Sequence, residues 1–256
     1  MYPKTSTFLK SLRLLSFLWV LGFIFCFYSA GAVSDTLLPT NNKGLTIKHT
    51  YYTLSYSGKD KQAEWVAYSL TPMSINGSQK RASKFMADPK ITDAVGPSSY
   101  SKSGYDRGHL CPAADMKLNI VSMNETFYMS NMSPQAPSFN RGIWSKLEDK
   151  VRDWALQKNG VYVVTGPLLN KSCGVVSNSI TVPCAYYKIV FKQTKSGVEA
   201  IAFMLPNAGS SLSLNQFVVS IDYLEALTGI DFFASLSDIE EEKFESIVLT
   251  NNWQFN

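Results

Sequence analysis

Histidine is nearly missing from this chain of 256 residues: there are two, His49 and His109. Cysteine is scarce too, at four, and no C-x-x-C pair occurs. Both shortages argue against a structural zinc centre, which draws on closely spaced Cys and His ligands. Charged residues make up only 17% of the chain, with a formal net charge of +4. Three of the positive groups, Lys4, Lys10 and Arg13, lie in the first 32 residues, which hold no acid. The remainder carries 21 basic and 20 acidic groups. A protein that grips nucleic acid by bulk positive charge is thereby excluded, and any basic surface must be local. Gly at 15 and Pro at 11 exclude collagen-like and low-complexity chains. No internal repeat and no long linker interrupt the chain. The length suits one large domain or two small ones, with ample core.

The three basic residues precede an uncharged run from Leu14 to Ser34, and Ala30-Gly31-Ala32 follows its apolar centre. A basic start, an apolar stretch and an A-x-A site make a signal peptide over residues 1–32. The alternative is an uncleaved membrane anchor, since the run has just the length to span a bilayer. Either way the mature domain is expected outside the cytosol: secreted, periplasmic, or anchored on the outer side of a membrane. Cys26 leaves with a cleaved leader, and Cys111, Cys173 and Cys184 remain. Cys173 and Cys184 bracket a short loop between strand-like runs and are the disulfide candidate. Cys111 then reads as a small buried residue.

Residues 33–48 are polar and turn-rich and read as a flexible lead-in to a domain over 49–256. Tyr51 to Tyr56 and Glu64 to Leu70 read as a hairpin around Ser57-Gly58-Lys59-Asp60. Residues 71–104 read as irregular surface loop. A helix is expected over 141–158, where Ile143, Leu147, Val151 and Trp154 fall on one face about 80° wide. Further strands are expected at Val161 to Thr165, Ala185 to Phe191 and Glu199 to Leu205. A short helix is expected from Val219 to Leu227, and a last strand at Phe232-Phe233-Ala234. The class is α+β. Residues 33–158 carry 16 basic and 11 acidic groups, and residues 159–256 carry 5 and 9, so a polyanion would prefer the first half.

The densest polar cluster is Tyr105-Asp106-Arg107-Gly108-His109. A neutral imidazole can take a proton from water near neutral pH. A guanidinium can hold two phosphate oxygens at once. These are parts for phosphodiester hydrolysis, although any one short string is weak evidence. Downstream come Asn131-Met132-Ser133-Pro134-Gln135, then Phe139-Asn140-Arg141-Gly142, Trp144 and Leu147-Glu148. Val163-Val164-Thr165-Gly166-Pro167 and the run from Ile180 to Phe191 follow in order.

In these strings the chain resembles the DNA/RNA non-specific endonuclease family, which includes the Serratia-type nucleases and endonuclease G. The likeness extends over roughly residues 50–237. It implies a ββα-metal (His-Me finger) fold with a central antiparallel sheet and packed helices. It also implies a metal-dependent endonuclease that cuts DNA and RNA with little sequence preference, leaving 5′-phosphate and 3′-hydroxyl ends. By the same resemblance His109 is the general base, Asn140 binds a single Mg²⁺ (or Mn²⁺), and Glu148 reaches the ion through water. Arg81, which precedes Asp88-Pro89, and Arg152 would contact phosphate. Asp106 and Arg107 complete the catalytic string. Arg141 stands where the family has Gln, and either grips the nucleic acid backbone or lies in solvent. The chemistry is coherent on its own terms: Mg²⁺ keeps most of its waters and needs few protein ligands. Two other functions stay open. One is a metal-free ribonuclease using His49 and His109, and the other is a nucleic-acid-binding protein on an inactive nuclease scaffold.

Overall fold

The structure, a computed structural model, describes residues 34–40, 43–177, 179–195, 197–246 and 250–255. The leader lies outside the described residues. The polar stretch expected to be loose instead contributes strand β1 (Leu45–Lys48), which pairs antiparallel with β2 (Tyr52–Ser57). The physical reason is two apolar anchors, Leu37 and Ile47, each sunk into a core. Strand β2 turns into β3 (Gln62–Leu70), so the expected hairpin forms.

The stretch 71–104 is mostly irregular, as its composition implies. It also holds a short helix, α1 (Pro72–Ile75), capped reciprocally by Thr71 and Ser74. Next come β4 (Asp106–His109), α2 (Ile120–Glu125) and β5 (Met132–Gln135). Helix α3 (Ser145–Gln157) follows, then β6 (Val161–Pro167), β7 (Ser172–Val176), β8 (Ile180–Pro183), β9 (Ala185–Thr194), β10 (Gly197–Pro206) and β11 (Val218–Val219). Helices α4 (Ile221–Thr228) and α5 (Asp238–Glu241) lie near the C-terminus.

Seven strands form one antiparallel sheet in the order β1-β2-β3-β6-β9-β10-β11. Its central strands alternate between two cores. Val163, Tyr186, Val190, Ile201 and Phe203 pack on one face with Leu147, Val151 and Trp154 of α3. Val164, Tyr187, Ile189, Phe191 and Ala202 pack on the other with Ile221 and Leu224 of α4. That period of two is what a strand buried on both faces requires. Helices α3 and α4 thus cover opposite faces of the sheet.

Two expected elements differ. The helix expected from residue 141 starts at Ser145, behind a wide π-type turn over Phe139–Trp144. Gly142 breaks the regular helix there (φ −113°, ψ −112°). Phe232 and Phe233 form no strand. Both are buried in the second core, with Phe233 edge-on to Phe191 at 4.9 Å, and only Asp231 bridges to Thr40. Two adjacent inward side chains do not fit strand alternation. Helix α4 forms where expected and stops at Gly229 with φ +73°, a left-handed end that suits glycine. Cys173 and Cys184 are bridged, and Cys111 is free and buried.

Candidate active site

A two-stranded ribbon, β4 with β5, lies apart from the large sheet and feeds into the π-type turn and α3. Together they make a β-β-α unit. The ribbon carries Asp106 to His109 in register against Gln135 to Met132. Gly108 is required by close approach: a Cβ there would come within 2.2 Å of the buried Gln135 side chain. Asn131 locks the base of the ribbon. Its Oδ1 accepts from the Cys111 amide at 2.8 Å, and its Nδ2 donates to the Cys111 and Thr126 carbonyls.

His109 ends β4 with its Nε2 buried and, among the described residues, without a hydrogen-bond partner. Phe127 stands edge-on to the imidazole at 4.9 Å and Phe85 lies at 5.8 Å. This apolar wall, and then the nearby charge of Arg81, pull its pKa from the ordinary 6.5 down to about 3. The ring is therefore neutral across the physiological range. The same two phenylalanines carry cations on their faces. The Arg81 guanidinium lies 5.2 Å from the Phe127 centroid, and that of Arg107 lies 4.3 Å from the Phe85 centroid. Neither arginine makes an ion pair among the described residues.

At the other end of β4, Asp106 gathers two groups from the π-type turn. Its Oδ2 accepts from Asn140 Nδ2 at 2.9 Å and from Arg141 Nε at 2.8 Å, while Oδ1 accepts from Arg141 Nη2 at 2.6 Å. Burial works against the charge on Asp106. The Arg141 and Asn140 hydrogen bonds outweigh it and hold the carboxyl below its usual range. With its nitrogen committed, Asn140 has its amide oxygen left to ligate. Arg141 pairs with this carboxylate rather than standing free.

Behind the turn lies a charged cluster. Arg152 donates through Nη1 to Asp115 Oδ1 at 2.7 Å and through Nη2 to Asp149. Tyr68 donates to the other oxygen of Asp115 at 2.9 Å. The donors expected to meet phosphate are thus engaged by two carboxylates of the chain, Asp115 buried and Asp149 exposed. Burial, together with Asp115, raises the Glu148 pKa to about 7, against the pull of Lys188 and Arg152.

Lys188 is the residue that sequence reading missed. It points from the middle of β9 into the α3 core, fully buried, and its Nζ has no hydrogen-bond partner among the described residues. The ammonium lies 4.6 Å from the Trp144 ring centroid and interacts through space with Glu148 and Asp115. Burial depresses its pKa. The available signal was a lysine inside the apolar run Ala185 to Phe191, where a cation is costly unless compensated.

His49 is not part of this site. It is buried in a pair with Asp88, Nε2 to Oδ2 at 2.9 Å, and packs between Tyr52 and Tyr128. Asp88 also accepts from Ser130 Oγ and the Lys90 amide, pinning the loop that presents Arg81. A two-histidine site would need both imidazoles on one reacting atom, and this one is sealed against its own carboxylate.

The family model for DNA/RNA non-specific endonucleases matches residues 30–239. A nuclease of Nostoc sp. is 36% identical over 233 residues, covering 86% of this chain and 83% of that protein. Mitochondrial endonuclease G of Caenorhabditis elegans is 33% identical over 225 residues, covering 79% of this chain and 73% of its own. Among solved structures, that of an EndoG/EndoGI complex superposes with a TM-score of 0.71 at 28% identity, covering 78% of this chain and 90% of that one. With its α+β architecture and ββα-metal fold, this chain belongs to the DNA/RNA non-specific endonuclease family and is a non-specific endonuclease of nucleic acids.

Proposed function

We propose that the chain is an Mg²⁺-dependent hydrolase of DNA and RNA in which His109 is the general base. The observation that carries this reading is a neutral, walled-in imidazole, on the strand whose far end orients Asn140, beside two arginines, Arg81 and Arg107, that make no ion pair among the described residues.

The donors fit a hard divalent ion. Asn140 offers an amide oxygen once Asp106 holds its nitrogen, and Glu148 is a carboxylate whose charged form burial disfavours and a nearby cation would favour. Asn140 would hold the ion directly and Glu148 through water. When bound, such an ion offsets negative charge on the phosphate and on the leaving 3′-oxygen.

The chain's own residues do the rest. With Nε2 sealed among aromatic rings, Nδ1 is the nitrogen through which His109 takes a proton from the attacking water. Arg81 and Arg107 bind phosphate oxygens and orient the scissile group. Asp106 fixes Asn140 and steers Arg141 away from the phosphate. Contacts of this kind carry no base information, which suits weak sequence preference. The products carry 5′-phosphate and 3′-hydroxyl ends.

The setting is extracytoplasmic. The leader-like N-terminus and the Cys173–Cys184 bridge support this, since disulfides persist in oxidising compartments. The mass of the mature protein separates a cleaved leader from an anchor. Digestion of plasmid and of RNA with Mg²⁺ and with EDTA tests the activity. Cleavage of both, abolished by EDTA, is expected. Full activity in EDTA, or binding without cleavage in Mg²⁺, contradicts it.

A further inference from the structure

We infer that the protein carries a second, structural cation site, for Ca²⁺, where the C-terminal segment returns to helix α4. Asp222 and Glu225 lie one turn apart on α4, and Glu245 comes from the segment after α5. Their carboxylates each offer an oxygen, and these oxygens all lie within 4.8 Å of one another.

Three acids on a surface are commonplace, and Glu245 is what distinguishes this group. Its residual exposure is only 6%, and its Oε1 has no hydrogen-bond partner among the described residues. An ionised group in that position is strongly disfavoured unless something compensates it. No Lys or Arg pairs with Asp222, Glu225 or Glu245 among the described residues. Burial, then the neighbouring carboxylates, push the Glu245 pKa up to about 8, and a cation from solution would supply the charge that lets all three acids ionise together.

The surroundings fix the ligands in place. The Glu245 carbonyl accepts from the Ile221 and Asp222 amides at 3.0 and 3.3 Å, so the segment sits on the start of α4. Glu225 Oε1 accepts from the Phe232 amide at 2.8 Å, which leaves its second oxygen available. Phe244, next to Glu245, packs edge-on to Phe233 at 5.0 Å.

The spacing suits calcium. Oxygens that share an ion at about 2.4 Å can stand up to about 4.8 Å apart, and Ca²⁺ accepts irregular sets of oxygens completed by water. Mg²⁺ at about 2.1 Å would demand a tighter, octahedral set. Glu245 also lies beyond the stretch matched to the nuclease family. The bound ion would clamp the C-terminal segment onto the sheet through α4, so its effect is on stability and not on the chemical step.

The test uses the full chain, stripped with EDTA and desalted, then titrated with CaCl₂ by calorimetry and followed by thermal unfolding. Wild type, Asp222→Asn, Glu245→Gln and Asn140→Ala are compared. We expect one calcium to bind wild type and Asn140→Ala, raising Tm by about 5 °C at saturating CaCl₂. Asp222→Asn and Glu245→Gln should bind at least about tenfold more weakly and lose that rise, with nuclease activity in Mg²⁺ unchanged. Asp222 is exposed, so its variant carries the test even if Glu245→Gln fails to fold. Absence of calcium binding overturns the proposal. So does binding that persists in Asp222→Asn but vanishes in Asn140→Ala, which would place the ion in the nuclease site.

Discussion

Asp106 Oδ2 accepts the amide proton of Asn140 at 2.9 Å, so a carboxylate at one end of β4 sets which atom Asn140 shows to the outside. An amide can rotate to present nitrogen or oxygen, and only the oxygen ligates a hard cation. Asp106→Ala should therefore leave the fold intact and raise the Mg²⁺ concentration for half-maximal activity by about 10–100-fold, the usual effect of losing a partner that orients a metal ligand. A Mg²⁺ titration of cleavage rate measures this. An unchanged midpoint would separate Asp106 from ion binding.

The arginines divide into two classes. Arg81 and Arg107 stack on phenylalanine rings and have no carboxylate partner among the described residues, whereas Arg152 is held by the buried Asp115. Arg81→Ala and Arg107→Ala should each weaken substrate binding and lower the slope of log K against log salt by about 1, with Tm nearly unchanged. Arg152→Ala strands a buried carboxylate and should cost about 3–5 kcal/mol of stability. Salt-dependent binding and denaturant unfolding distinguish the classes. A normal unfolding midpoint for Arg152→Ala would contradict the assignment.

The depressed His109 pKa has a sign that unfolding can read. Its folded value is about 3 against an ordinary 6.5, so between those limits the unfolded chain binds a proton that the native chain does not. This contribution to stability is whole above pH 6.5 and falls as pH drops toward 3. His109→Leu should flatten that part of the profile. Urea unfolding of both proteins across the interval checks it, and parallel profiles would show that burial does not control the imidazole.

Lys188 supplies a fourth expectation. Its charge opposes the burial that lifts Glu148, although Glu148 still stands near 7. Lys188→Met keeps the side-chain volume near the original and removes the charge. The acid limb of the pH–activity profile should then move to higher pH, with a larger loss at neutral pH than in mildly alkaline buffer. A uniform loss at every pH would mean that Lys188 serves packing alone.

How much was legible in the sequence follows from what each signal reports. The inward face of α3 was readable because Leu147, Val151 and Trp154 repeat at helical spacing. The strands buried on both faces were readable because they are rich in Val, Ile and aromatic residues. The lead-in was misread because Leu37 and Ile47 are single apolar residues in polar company, and only the tertiary fold supplies the cores that receive them. Phe232-Phe233 has strand composition but packs as a plug, a choice made by the facing aromatic rings. In the site, the DRGH string and Asn140 stand close on one unit. The partners of Arg141 and Arg152 could not be read, because Asp106 and Asp115 lie 35 and 37 residues away in sequence. Local patterns do not encode such pairings.

The central claim is that the imidazole of His109 does the proton transfer. Single-turnover cleavage of one duplex substrate by wild type and His109→Ala, at saturating Mg²⁺ and matched binding, measures it directly. A fall of about 10²–10⁴-fold with substrate affinity retained is predicted. A variant that keeps more than about a tenth of the wild-type rate would contradict it.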